Sequence, residues 1–371
     1  MTATARERGR AYVTRTSRPT LGTAFRPRAN ALALMRLGLA GAVAVAHGLE
    51  LGAGWQPSLG RTPVADLAVD GFVVLSGFLV VRSALRLGST GRYAWHRFLR
   101  LVPGFWVCLL VTALFVAPLA AALAGRDPWS VMTTDESPAW RYVAVNAALP
   151  ILQFDIAGIT TPTGQDVVDG SLWTLQYEAT CYVVVAVLGA ASVLRRRPAW
   201  VPAGVVVVWA ALLAQHAGVI PADVPVLDNL QLFRFLLLFL LGGAAWLYAS
   251  RVPLGWPWLA ASAALCLASL WLPDSRVVGA ASFAHLCLAA MARLPLRWEP
   301  GWDLSYGLYL YHWPVQFLLL LAGGAVLGSA AFVLVSLVLA LGVATLSWRL
   351  VEQPALRLKD RPAPVRRRTR T

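Results

Sequence analysis

Runs of about twenty apolar residues, separated by short breaks that contain arginine or proline, constrain this chain more than any other feature. A helix of that length crosses a hydrocarbon core of about 30 Å, and lipid leaves a spanning segment no backbone solution other than a helix or a closed barrel. The spans fall near 31–51, 66–86, 99–124, 171–194, 199–219, 231–249, 255–272, 276–293, 302–322 and 325–350. Only 13% of the 371 residues are charged while 58% are hydrophobic, about half the charged share of a soluble domain. A water-soluble core of this size cannot hide that much apolar surface. The expected fold is therefore all-α, a polytopic integral membrane bundle of about ten transmembrane helices.

The net charge of +14 raises nucleic acid as a partner, but the placement of the charge argues for topology. Arginines crowd residues 1–30 and 353–371, and shorter basic loops lie at Arg82 to Arg100, Arg195 to Arg197, Arg251, and Arg293 with Arg297. They alternate with acidic or neutral loops carrying Asp127, Asp135, Glu136, Asp155, Asp166, Asp169, Asp223 and Asp228. That is the positive-inside pattern, with both termini cytoplasmic. The basic excess reads as attraction to anionic lipid, with no nucleic acid as partner. Three regions result: a basic tail over 1–30, a membrane domain over 31–352 with an outer loop at 125–170, and a second basic tail over 353–371. The outer loop holds the stretch "PAWRYVAVNAALPIL", readable as a short helix on the membrane surface. The Arg-rich start lacks a signal peptide's apolar core and cleavage site. Cys108, Cys181, Cys266 and Cys287 lie inside apolar segments without the short pairing of zinc or redox sites, so they read as packing residues and no metal is expected.

Each ionisable group inside a bilayer costs roughly 2.5–3.5 kcal/mol on insertion scales and is a functional candidate. Arg36 and His47 stand eleven residues apart in the first span, which leaves them within about 20° of one helical face and about 16 Å apart along it. An Arg that snorkels and a His satisfied in packing is the plainer account. Asp70 and Ser76 follow in the second span, where Gly71 and Gly77 let a helix or ligand approach the backbone. Counted from the outer end, Asp70 and Glu178 lie at the depth of His47, so either carboxylate is a candidate to orient its imidazole. Left alone, Ser76 would bond back to its own helix. Arg97 and Arg100 share a face at the mouth of the third span and suit phosphate, although anchoring explains them nearly as well. Asp303, Ser305, Tyr306, Tyr309 and His312 line the ninth span, and Arg349 with Glu352 reads as a cytoplasmic ion pair.

Taken in order, these strings resemble the acyltransferase-3 family of bacterial membrane acyltransferases, which modify surface polysaccharides and other glycosides. Arg36 and His47 match its Arg and His on the first helix. "VDGFVVLSGFLV", "RFLRLVPGFW", "SLWTLQYEATCY", "LSYGLYLYHWPV" and "WRLVEQP" are similar to its further motifs across residues 31–358. Gly71, Val73 and His96 depart from the usual residues without removing a candidate group. The lack of an SGNH-type hydrolase domain resembles the stand-alone branch.

The resemblance implies acetyl-CoA or another acyl-CoA as cytoplasmic donor, and transfer to a hydroxyl of a glycan, glycolipid or glycosylated metabolite at the cell membrane. His47 becomes the expected general base, Glu178, Asp70 and Ser76 its catalytic companions, and Arg36, Arg97 and Arg100 the CoA-binding cations. Trp173, Tyr306 and His312 fall in matching motifs and are assigned to substrate contact. Ser76 is a conceivable acyl relay, with direct transfer preferred. Membrane lipid is a further partner, and a homo-oligomer is compatible with the sequence. The alternative is a proton-coupled transporter of a glycan, lipid or drug, which the same intramembrane Arg, His, Asp and Glu would suit.

Overall fold

The computed structural model describes residues 19–27, 29–220, 226, 229–294 and 301–360. Most of both basic tails lies outside the described residues, as do Asp223, Asp228 and Arg297.

Each expected span is a helix: α1 Leu32–Ala53, α2 Val64–Leu87, α3 Thr90–Leu123, α4 Leu175–Ala190, α5 Trp200–His216, α6 Leu230–Leu247, α7 Trp256–Ser269, α8 Arg276–Arg293, α9 Ser305–Leu321 and α10 Ser329–Ser347. Six of the described helices are long and apolar enough to cross a membrane: α1, α2, α3, α6, the segment Leu172–Ala190 that contains α4, and Ser329–Arg357, which begins with α10. The outward surfaces of α3, α5 and α10 expose Phe115, Val206, Val207 and Val338 at 60% or more. Water would penalise such a surface, while lipid does not. This is an all-α membrane protein.

Helix ends follow local chemistry. Gly54 and Gly88 close α1 and α2 with φ of +71° and +66°, where a side chain would be strained. Ser89 then caps α3 by accepting from the Arg92 amide. α3 starts nine residues before the expected span and runs past Pro103, with a π turn at Thr112–Val116. A second π turn, Trp348–Glu352, prolongs α10 into Gln353–Arg357. Part of each presumed tail is folded: Leu21 is fully buried, and Leu356 and Lys359 reach a central cavity.

The closest helix crossing joins α2 to α6. A Cβ on Gly77 would overlap the Phe239 carbonyl, and one on Gly242 would overlap the Val74 carbonyl, so the two backbones touch directly. Gly71 faces the Leu39 side chain of α1, whose methyls would crowd an added Cβ at 3.1 Å. α9 packs on both α1 and α10, and a Cβ on Gly307 would meet Ala344 of α10 at about 3 Å.

Segment 125–170 is built from its own side chains. Asn146 ends the short helix Ala139–Asn146 and binds the Leu152 and Gln153 amides and the Gln153 carbonyl. Asp155 accepts from the Gly158 and Thr160 amides. The chain then turns inward: Val168, Asp169, Ser171 and Leu172 are buried, and Gly170 rests against the Trp313 ring.

Candidate active site

A cavity of about 350 Å³ lies among α1, α2, α3, α4, α6 and α9, and it gathers residues far apart in sequence. Arg36, Arg97 and Arg100 line it together with Ser76, Glu178 and Tyr306. Phe72, Phe235 and Phe239 supply apolar wall.

Asp303 organises the arginine end. One oxygen, Oδ1, accepts from the amide and hydroxyl of Ser305 at the start of α9. The other, Oδ2, meets Arg100 at 2.8 Å and Arg36 at 3.2 Å. Glu352 lies 3.9 Å from Arg100 and accepts from the Ser347 hydroxyl. The expected pair of Arg349 with Glu352 is not formed. The π turn adds residues to that helical turn, so Glu352 faces the bundle while Arg349 is exposed. Arg97 makes no ion pair among the described residues and lies over the rings of Tyr93 and Tyr182. Its Nε is buried without a hydrogen-bond partner among the described residues.

Glu178 is not beside His47. Its Oε1 accepts from Ser76 at 3.2 Å and from the Tyr182 hydroxyl, so two hydroxyls and the cavity solvate the carboxylate that the sequence placed in an apolar helix. Ser76 therefore does not bond back to its own helix. Depth along the first turns of α4 misleads because the preceding residues are already inside the bundle. Thr174 bonds Tyr309 at 2.6 Å.

Asp70 is also elsewhere. Its carboxylate is shared by Arg234 of α6 at 2.8 Å and Arg276 of α8 at 2.7 Å. Asp66 sits 3.2 Å and 3.0 Å from the same two arginines. Asp274 adds contacts at 3.4 Å to both Arg276 and His216. Asp70 thus belongs to an ionic clasp of α2, α6 and α8, since its helical face points away from α1. Arg234 and Arg276 escaped the sequence reading, although an arginine inside "LQLFRFLLLFLL" was a signal by the cost rule applied to Arg36.

The partner of His47 is His312. His47 Nδ1 and His312 Nε2 are 2.9 Å apart, with ring planes 13° from parallel. His312 is fully buried, while His47 retains partial exposure. Trp313 stands edge-on to His47 at 4.9 Å. Gln316, one turn on, donates to the Ala44 carbonyl of α1. Trp313 Nε1 and Gln316 Oε1 are buried without partners among the described residues. Neither histidine lines the cavity; Tyr309 does, and its ring lies 6.1 Å from His312. Of the remaining expected contacts, Tyr306 lines the cavity and donates to the Leu101 carbonyl. Trp173 packs on Tyr177 and Phe235 outside the lining.

Nodulation protein 10 of Rhizobium leguminosarum bv. viciae is 30% identical over 330 residues, covering 78% of this chain and 81% of that protein. An O-acetyl transferase of Shigella phage Sf6 is 24% identical over 343 residues, covering 88% and 96%. No solved structure matches. Residues 30–349 match the family's acyltransferase domain from the first helix to the last, and this chain belongs to the acyltransferase-3 family of membrane acyltransferases.

Proposed function

We propose that this chain transfers an acyl group, acetyl foremost, from acyl-CoA to a hydroxyl of a glycan, glycolipid or glycosylated metabolite at the cell membrane. The observation that carries the reading is the cavity, cationic at the Arg36 end and floored by Ser76 and Glu178. A buried guanidinium N–H without a partner is costly unless an anion satisfies it, which suits Arg97 to a CoA phosphate. Arg36 and Arg100 share Asp303 and hold the mouth in shape. His47 acts as general base on the acceptor's side, about 16 Å along α1 from Arg36. Trp313 Nε1 and Gln316 Oε1, a donor and an acceptor one turn apart on α9, are groups that acceptor hydroxyls would satisfy. The hydroxyl oxygen bonds to the acyl carbon as its proton passes to His47. The C–S bond then breaks, and the thiolate takes that proton.

CoA release from acetyl-CoA by the purified protein, dependent on an added glycoside, tests the reading. A carrier needs no thioester, so gradient-driven glycoside flux without CoA release would replace it.

Arg97→Ala should raise the apparent Michaelis constant for acetyl-CoA about 10- to 100-fold, corresponding to one charge-assisted contact of roughly 1.5–3 kcal/mol. Arg100→Ala should instead lower thermal stability, because it leaves Asp303 with Arg36 alone. An unchanged constant in Arg97→Ala would assign that residue to anchoring.

The reading places both termini in the cytoplasm, ten crossings between them and residues 125–170 outside. Glu136 is exposed in that segment, so Glu136→Cys should react with an impermeant maleimide in intact cells, against the unlabelled parent. Labelling only after lysis would reverse the orientation.

A further inference from the structure

His312 is held by the backbone of its own helix. Its Nδ1 lies 3.1 Å from the Leu308 carbonyl and 2.9 Å from the Tyr309 carbonyl. Carbonyl oxygens only accept, so Nδ1 carries the proton, and the lone pair of the neutral ring sits on Nε2. That nitrogen faces His47 Nδ1 at 2.9 Å, a hydrogen bond only when His47 Nδ1 donates. The lone pair of His47 is then left on Nε2.

We infer that His312 is a positioning residue that fixes His47 as the Nδ1–H tautomer, making Nε2 the atom that takes the acceptor's proton. This deepens the acyl-transfer reading and rests on it. Catalytic histidines are commonly oriented by a carboxylate, which also stabilises the imidazolium. Here a neutral imidazole, itself anchored to two carbonyls, supplies the orientation alone. The His47 imidazolium formed as the hydroxyl attacks has no counter-ion at Nδ1, so it is a strong acid toward the departing thiolate. Each turnover moves one proton from hydroxyl to His47 Nε2 to CoA sulfur and leaves His312 unchanged.

Two measurements test this. The first is 15N NMR of histidine-labelled full-length protein in detergent, with the His47 signals assigned by their loss in His47→Gln. A protonated Nδ1 and unprotonated Nε2 are expected, and the reverse tautomer overturns the inference whether or not transfer is observed. The second compares His312→Phe, which keeps a ring in the site without an acceptor, with His312→Gln, whose carbonyl oxygen reaches the place of Nε2. His312→Phe should lower kcat by at least 10²-fold, given that a wrong tautomer costs a serine protease about 10⁴-fold, with the Michaelis constant for acetyl-CoA unchanged. His312→Gln should recover at least tenfold of the loss. Equal kcat in the two variants, with wild-type melting temperature in both, reduces His312 to packing. Absence of CoA release from the wild type overturns the acyl-transfer reading instead and leaves the NMR result standing.

Discussion

His47→Ala should lower acetyl transfer by a factor on the order of 10²–10⁴ while acetyl-CoA binding is largely kept, because a positioned general base contributes about that much. A neutral imidazole takes a proton in the transition state without first having to lose one. Its removal leaves the arginine end untouched: Arg36 is eleven residues away on α1, and the cavity lining does not include His47. The measurement is glycoside-dependent acetyl transfer, read beside acetyl-CoA affinity and melting temperature on one preparation. His312→Ala is no control for a buried histidine, since that ring touches His47. His285 of α8 serves instead, bridging the Ser262 hydroxyl of α7 and the Pro253 carbonyl just before α7. Near-normal transfer by folded His47→Ala would remove the base from α1.

Asp70→Ala should fail differently, by unfolding. Removing one partner of a buried ion pair costs on the order of 3–5 kcal/mol, because the remaining charge stays buried. Here one carboxylate serves two guanidiniums, and its side chain is only 3% exposed. The loss should appear as a lower melting temperature and a smaller monodisperse fraction in detergent. Asp70→Asn keeps the shape and separates the two roles. A well-folded Asp70→Asn protein with turnover down 10⁴-fold would return Asp70 to the base, whereas a destabilised protein with normal turnover per folded molecule places it in the clasp.

The contrast between His47 and Asp70 marks where sequence reasoning stopped. Hydropathy fell on helices, six of them long and apolar enough to cross a membrane, and the cost of a buried charge singled out His47, Arg36 and Glu178 before any geometry. The same reasoning counts positions along a helix but not azimuth. Asp70 lies in the N-terminal half of α2, and its carboxylate turns to Arg234 and Arg276, 164 and 206 positions away. Glu178 was misplaced in depth because residues 168–174 descend into the bundle before α4 begins, and no hydropathy window records a buried loop made of Asp, Gly and Ser. Glu352 changed face through a π turn, which leaves the local sequence looking like ordinary helix. His312 was visible as a buried histidine, but only the packing of α1 on α9 makes it the neighbour of His47.

The glycine contact of α2 with α6 has a mechanical consequence. Backbone against backbone at Gly77 and Gly242, with the Asp70 clasp reaching α8, makes those three helices one stiff body. α1 and α9 form another, riveted by the histidine pair and by Gln316 on Ala44. The cavity lies between the two bodies, with Phe72, Ser76, Phe235 and Phe239 on one bank and Arg36, Tyr306 and Tyr309 on the other. Bending within either body breaks ionic or backbone contacts, whereas the two bodies meet mainly through side chains, with one backbone bond from the Ala31 amide to the Met291 carbonyl. Shear is therefore the low-cost motion for opening the cavity, and it carries the His47–His312 couple along as a single rigid part.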